Sequence, residues 1–419
     1  MKKKQPAGKS RRNKSNKKPS TKQHSINPRT HPDAAGIDIS AQEFVVAVAP
    51  DRCEEPVRTF PTFTSGVHAL RDWLVSCGIK TVAIESTSNY WITLYDTLVA
   101  AGIDVYLVNA RHVKGVPGRK TDVCDSQWLQ QLHAAGLLRK SFRPALEIVP
   151  LRYLMRHRGE LVGDMAKHLQ HMQKALTEMN LKVQHVFSDI DGVSAQAIID
   201  AILSGERDVS KLANLRDRRC RSKQQDVEEA LRGDYREEYL LALKQSRDSH
   251  LHLQSQLAEL DAKIADLVSK VKCEVSAPLP EAPKAQRKEN KNTPNIRVFE
   301  AAWRFYGVDL SAVPGISAAV LCALMSEVGT RAQFLAAFPT AAHFASWLGL
   351  CPDNRISGGK VLKANTRKVQ SRLARALRLG VFGLNRSQTQ MGLYVGRMKS
   401  RLGKAEGITA GAHKLARVI

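Results

Sequence analysis

Gly36-Ile37-Asp38-Ile39-Ser40, followed two residues later by Glu43-Phe44-Val45-Val46-Ala47-Val48, reads as two neighbouring strands of a β-hairpin. Both segments are rich in β-branched residues, and the polar link between them is too short for anything but a turn. Thr81-Val82-Ala83-Ile84-Glu85 is a third strand of the same type. A helix from about Tyr90 to Ala101 leads into a strand from Ile103 to Val108, and a further helix is expected from about Asp122 to Leu138. Strands alternating with helices predict an α/β layer around a partly parallel sheet over residues 32–145.

Beyond Pro150 the strand signals disappear and the period becomes helical. Leu154, Leu161, Met165, Met172, Met179, Val183 and Val186 form one heptad-like stripe, interrupted by Arg158 and His168. Leu253, Leu257, Leu260, Ile264, Leu267 and Val271 form a cleaner one, alternating steps of four and three as a coiled-coil seam requires. Residues 146–276 are therefore expected to be a helical coiled-coil region, antiparallel within the chain or formed between subunits. Residues 277–296 carry Pro278, Pro280, Pro283 and Pro294 among Lys, Glu and Asn, the composition of a linker. A mostly helical domain is expected over 297–419. It opens with a helix through Trp303, followed by Val313-Pro314-Gly315-Ile316-Ser317 feeding a helix to about Val328. That turn resembles a helix-hairpin-helix turn, whose free N–H groups can hold a phosphate, and it reads equally well as an ordinary connection between helices.

The formal net charge is +24 and the two ends carry it. Residues 1–30 hold eleven Lys or Arg and no acid, and residues 355–419 hold fifteen with only Glu406 against them, which leaves the middle at −1. A phosphate polymer is gripped mainly by Lys and Arg, so this distribution points to nucleic acid. Residues 1–31 have almost nothing to bury and read as a basic flexible tail. Arg367, Lys368, Arg372, Arg375 and Arg378 fall along one face of an expected C-terminal helix, with Lys360 and Lys363 just before it, a set suited to gripping backbones. The seven cysteines are scattered and never spaced as Cys-x2-Cys, against both a disulfide framework and a zinc site, so a reducing, cytoplasmic setting is expected. No apolar run approaches the roughly 20 residues needed to span a bilayer.

Four carboxylates stand out from this background. Asp38 interrupts an otherwise apolar strand, Glu85 ends another, and Asp122 and Asp125 sit three apart at a helix start, where the dipole favours negative charge. Each alone is readable as a turn, cap or surface acid. In the order strand Asp, strand Glu, helix Asp-x-x-Asp, they match the RuvC-like, ribonuclease-H-type nuclease arrangement. There, convergent anionic oxygens hold hard cations against a phosphodiester.

The segments Gly36-Ile37-Asp38-Ile39-Ser40, Ala83-Ile84-Glu85-Ser86-Thr87 and Lys120-Thr121-Asp122-Val123-Cys124-Asp125 resemble the N-terminal domain of the DEDD transposases of the insertion-sequence-110 family. Val313-Pro314-Gly315-Ile316, Phe344-Ala345-Ser346-Trp347-Leu348-Gly349-Leu350 and Ser357-Gly358-Gly359-Lys360 resemble that family's second domain, in the same order along the chain. The resemblance implies a site-specific recombinase that moves its own element. Asp38, Glu85, Asp122 and Asp125 would hold Mg2+, and Ser357 would attack DNA to form a phosphoserine link. A structured guide RNA would pair with donor and target DNA, and the working unit would be a homo-oligomer, dimer or tetramer, bringing the acids of one subunit to the serine of another. Without the resemblance, Ser357-Gly358-Gly359-Lys360 reads as a basic surface turn.

Ser126 stands where the family pattern has alanine, and the basic extension before His31 and the Pro-rich segment are additions to it. The last residues before Ile419 read as a helix that would run on. Two competing readings remain at this level: a RuvC-like DNA junction endonuclease, which would use water and need the four acids without Ser357, and a catalytically silent nucleic-acid binder, which the intact acids speak against.

Overall fold

The computed structural model describes residues 29–86, 88–109, 122–272, 275, 292–367 and 369–419. Most of the basic tail (1–28) and most of the linker (277–291) lie outside these. The chain divides into two compact units, Met1–Arg143 and Pro144–Ile419.

The N-terminal unit is built on five strands: β1 (Ala34–Ile39), β2 (Glu43–Ala47), β3 (Val57–Pro61), β4 (Thr81–Glu85) and β5 (Asp104–Val108). Their order is β3-β2-β1-β4-β5, with β1 antiparallel to β2 and parallel to β4, and β4 parallel to β5. This is the RuvC-like, ribonuclease-H-type sheet. Helices α1 (Thr64–Ser76) and α2 (Trp91–Ala100) cover one face, and α3 (Asp122–Ala134) covers the other.

Alternation along the strands sorts the side chains. Ala35, Ile37, Val82, Ile84, Val105 and Leu107 pack with Leu70, Leu74, Leu94 and Leu98 in the main core. The opposite phase puts Ala83 and Val108 against Leu129 of α3.

The hairpin, the third strand, the helix before β5 and β5 itself stand within a few residues of where the sequence places them. Two elements, β3 and α1, were not anticipated. In Val57-Arg58-Thr59-Phe60-Pro61, an edge strand, Arg58 and Thr59 are exposed and Val57 and Phe60 are only partly buried, so its apolar alternation is weak. The helix expected to reach Leu138 ends at Ala134, where Gly136 turns the chain with φ +71°.

The second unit begins with α4 (Val149–Glu178), continues through the short helices α5 to α8 (Val183–Val186, Val193–Leu203, Val209–Asn214 and Gln224–Ala230), and returns along α9 (Glu237–Lys270). Arg158 near the start of α4 meets Asp261 late in α9, and Met172 and Leu176 near the end of α4 share a core with Leu243, so the pair is antiparallel within one chain. Arg158, which interrupts the apolar stripe, is buried in a two-pronged ion pair with Asp261 (2.6 and 3.1 Å) and also donates to the carbonyls of Asn292 and Thr293. Its charge is thus satisfied by the seam it would otherwise disrupt.

Helices α10 to α13 (Val298–Tyr306, Ala318–Glu327, Arg331–Ala337 and Ala341–Trp347) lead to a hairpin of β6 (Pro352–Ser357) and β7 (Lys360–Thr366). Then follow α14 (Arg372–Phe382), α15 (Gln390–Leu402) and α16 (Lys404–Ala416). α11 is buried almost all round, the pattern of a central helix. Strands therefore do not end at Pro150. The β6–β7 pair is short and two-sided polar, with little apolar alternation to announce it.

Candidate nucleic-acid processing site

Three contacts seat α3 on the sheet, and together they aim its first turn. At the far end, His133 Nε2 lies 2.8 Å from Thr81 Oγ1; that hydroxyl donates to the Asp104 carbonyl, so it accepts the imidazole N–H. In the middle, Gln130 Nε2 donates to the Ala34 carbonyl at 3.3 Å. Nearest the site, Gly36 lies directly under the helix. A Cβ there would sit 2.3 Å from Gln130 N and 2.4 Å from Ser126 O, so only glycine lets α3 come this close.

These contacts show that α3 runs antiparallel to β1. One helical turn before Ser126 is about 5.4 Å, and two strand residues beyond Gly36 is about 6.6 Å, so the first turn of α3 lies alongside Asp38. Ile37 pairs with Ile84, and carrying that parallel register one residue on sets Asp38 beside Glu85. Both acids share the α3 face with Gly36 and Ala83, at the carboxyl ends of adjacent parallel strands. The backbone thus brings Asp38, Glu85 and the Asp122–Asp125 turn to one end of one face. Asp38 and Glu85 are half-buried and Asp125 is exposed; the side chain of Asp122 lies outside the described residues. An all-carboxylate donor set of this kind suits a hard divalent cation. Among the described residues, no three His, Cys, Asp or Glu side chains already form a metal-holding group.

Sequence reasoning found the acids but not the seating contacts. Their signal was present: Gly36, Gln130 and His133 are the residues whose size or polarity is out of place on an apolar interface. His133 is buried beside His31, Tyr106, Asp104 and Lys140. Burial first, then the like charges of His31 and Lys140, hold its pKa down to about 4 against an ordinary 6.5, while Asp104 opposes. The unfolded chain takes up a proton before the folded one, so the stability His133 confers is complete above pH 6.5 and lost as the pH falls toward 4. Thermal midpoints of the parent should fall more steeply across that window than those of His133→Gln, which keeps an N–H for Thr81 and cannot titrate. Parallel curves would remove His133 from the account.

Ser357 lies in the second unit. It ends β6 and pairs with Lys360, and between them Gly358 and Gly359 have φ of +55° and +76°. Positive φ at both central residues is the requirement of a type I′ hairpin turn, which explains the Gly-Gly pair. Ser357, Gly358, Gly359 and Lys360 are exposed, and Cβ atoms on either glycine would meet nothing within 4 Å. Ile356 and Leu362 flank this tip, 62% and 69% exposed.

The basic residues do not form one helical face as expected. Ser371 caps α14 by accepting from Ala374 N, so the helix begins at Arg372, and Arg367 precedes it on the connection from β7, bonded to the Ser346 carbonyl. Lys368 lies outside the described residues; Lys360 and Lys363 belong to β7. Only Arg372, Arg375 and Arg378 are on α14, and Arg372 is engaged by Glu160 and the Arg156 carbonyl.

The Val313-Pro314-Gly315-Ile316 turn is used for packing. Gly315, at φ +98°, fits between Leu384 and Leu415, and Gly380 of α14 rides over its carbonyl.

Two family models match the chain. The IS110 DEDD transposase model covers residues 35–181, and the transposase IS116/IS110/IS902 family model covers residues 309–395. The chain belongs to the IS110 transposase family. No match was found among curated proteins. Membership makes this a DNA-processing enzyme of the transposase class, and a DEDD family implies a divalent metal ion. Both matched spans contain residues singled out above: the four acids in the first, Ser357 in the second. No described helix of this transposase is long and apolar enough to cross a membrane.

Proposed function

We propose that this transposase is an RNA-guided, serine-dependent recombinase of an insertion sequence, acting on donor and target DNA as a homo-oligomer. The observation that carries the reading is the convergence of Asp38, Glu85 and the Asp122–Asp125 turn on one end of the sheet, a placement set by β-register and by Gly36.

Asp38, Glu85, Asp122 and Asp125 would hold magnesium, which when bound polarises the phosphate and stabilises charge on the attacking and leaving oxygens. Ser357 Oγ attacks phosphorus and displaces a deoxyribose oxygen, leaving a phosphoserine bond in place of the DNA bond. One phosphodiester is exchanged for another, so a free DNA hydroxyl can reverse the step on a new partner without a nucleoside triphosphate. A water nucleophile would give up that bond energy, and that is the chemical difference from the junction-nuclease reading.

An exposed hairpin tip suits a nucleophile that must reach DNA held elsewhere, and bare Gly358 and Gly359 leave room for phosphate against the backbone. Lys360 pairs with Ser357 at the tip, and the sequence that follows adds the charges of Lys363, Arg367, Lys368, Arg375 and Arg378. Delegating sequence choice to a guide RNA agrees with the absence of a zinc finger or other base-reading motif in the sequence.

The test is to incubate the protein with magnesium, RNA from its native flanks and matching donor and target DNA, then seek a denaturant-resistant protein–DNA adduct. The adduct should form with the parent and be lost in Asp125→Ala. Cleavage without any adduct would replace the recombinase by a water-using nuclease.

A further inference from the structure

The fold brings together two thiols whose spacing in the sequence carries no motif. Cys53 lies in the loop between β2 and β3, and Cys77 caps the C-terminus of α1. Both backbones are held in place. Val48 N donates to the Pro56 carbonyl at 2.8 Å and Arg52 N to the Ala49 carbonyl at 2.9 Å, which folds the loop back on itself. Cys77 N donates to the Trp73 carbonyl at 3.0 Å, and Gly78 turns the chain away with φ +67°. The Arg52 side chain reaches across to this turn: it pairs with Asp33, and a Cβ on Gly78 would lie 3.6 Å from its Nη1. The two cysteines meet at the margin of the main core, Cys77 buried within it and Cys53 half-buried against it, with their thiols in hydrogen-bonding contact.

Their surroundings make the two thiols unlike. The Glu55 backbone N–H donates to the Cys53 sulfur and does most to hold that thiol below its ordinary pKa, against the opposing effect of burial. The buried Trp73 indole N–H finds no nitrogen or oxygen acceptor and faces the same sulfur, and the Arg58 guanidinium over the Trp73 ring adds positive charge. Burial first, and then the neighbouring Cys53, push the Cys77 thiol up. A half-exposed, acidified thiol touching a buried one is the arrangement of an attacking and a resolving cysteine.

We propose that Cys53 and Cys77 are a modification site for hydroperoxides, closing reversibly to a disulfide that staples the β2–β3 loop to the end of α1. The Cys53 sulfur attacks one oxygen of hydrogen peroxide, the O–O bond breaks, and the departing hydroxide leaves as water with the thiol proton. The Cys77 sulfur then displaces the hydroxyl of the Cys53 sulfenic acid, and a second water departs with the second thiol proton. Two thiols and one peroxide thus give one disulfide and two waters, the sulfurs losing two electrons and the peroxide gaining them. The closed loop contains edge strand β3 and helix α1, so the bond restricts the unfolded chain where the sheet is held from one side only. Because β2 is antiparallel to β1 while β4 is parallel to it, the end of β2 and the start of β4 lie away from Asp38 and Glu85. The staple therefore guards the fold of the N-terminal unit without touching the acids, and the inference stands whatever reaction this transposase carries out.

The test starts from reduced full-length protein, freed of reductant, treated with one equivalent of hydrogen peroxide, alkylated and digested without reduction. Mass spectrometry should find, as the main oxidised product, a peptide pair joined through Cys53 and Cys77 and lighter than its separate parts by two hydrogens. Amide hydrogen exchange across β3 and α1 should slow at least about 10-fold, and dithiothreitol should restore it. Cys77→Ser should stop at the sulfenic acid, trapped on Cys53 by dimedone, and Cys53→Ser should leave Cys77 a free thiol with no change in exchange. The parent's own linked peptide decides the matter even where a serine variant folds poorly. Cys53 recovered as a free thiol, Cys53 over-oxidised beside a free Cys77, or either one joined to a different cysteine overturns the proposal. So does a linked pair that leaves exchange in β3 and α1 unchanged.

Discussion

Ser357→Ala should bind DNA and RNA as tightly as the parent, melt at the same temperature, and form no covalent adduct. Strand exchange should fall by on the order of 10³-fold or more, because removing a nucleophile removes the whole covalent path rather than one stabilising contact. Stability should change by no more than about 0.5 kcal/mol, since the side chain is exposed at a hairpin tip and its loss opens no cavity. The turn itself depends on Gly358 and Gly359, whose positive φ values are untouched by the substitution. Two outcomes would sink the assignment: an adduct that persists and maps to another residue, or cleavage at parental rates with water as nucleophile. A melting point several degrees lower would mean that the tip has a packing role, and any activity loss would then be uninformative about chemistry. Asp125→Ala is the useful companion. It should also lose the adduct, but for want of the acids' share of phosphate activation, so Ser357 in that variant stays intact and open to chemical labelling.

The contrast between these residues shows what the sequence could and could not reveal. The strands bearing Asp38 and Glu85 were legible because a lone acid in a β-branched run is costly to bury and stands out against period-two alternation. The place of Asp122 and Asp125 at a helix start was legible from spacing alone. What brings them to Asp38 was not, because it depends on register. Ile37 opposite Ile84, and Ser126 over Gly36, are long-range pairings that no local pattern encodes. Edge strand β3 and the β6–β7 hairpin offer little apolar period to read, β3 because at the edge only Val57 and Phe60 are partly covered, and the hairpin because it is polar on both sides. The basic C-terminus was visible as charge, yet charge count did not say where helices begin. Ser371 caps α14 and removes Arg367 from the expected face.

Gly36→Ala is the sharpest test of how that register serves the site. The new Cβ would stand 2.3 Å from Gln130 N and 2.4 Å from Ser126 O, and both are backbone atoms of a regular helix, with no flexible side chain to yield. Ordinary carbon contacts near 3.5 Å require α3 to retreat by roughly 1 Å. Overpacking of this kind costs about 1–3 kcal/mol and sometimes more, and the hydrogen bonds from Gln130 to Ala34 and from His133 to Thr81 would be stretched with it. A displacement of about 1 Å at the turn carrying Asp122 and Asp125 should lower strand exchange about 10²-fold per folded molecule. Gly66→Ala is the control. Its Cβ would lie 2.1 Å from Pro61 O, a comparable clash, but between α1 and the edge strand β3 on the other side of the sheet. That variant should lose stability to denaturant and keep its activity per folded molecule, whereas Gly36→Ala should lose both. If the two variants lose activity only in proportion to unfolded protein, the close seating of α3 on β1 is a packing feature and does not align the acids.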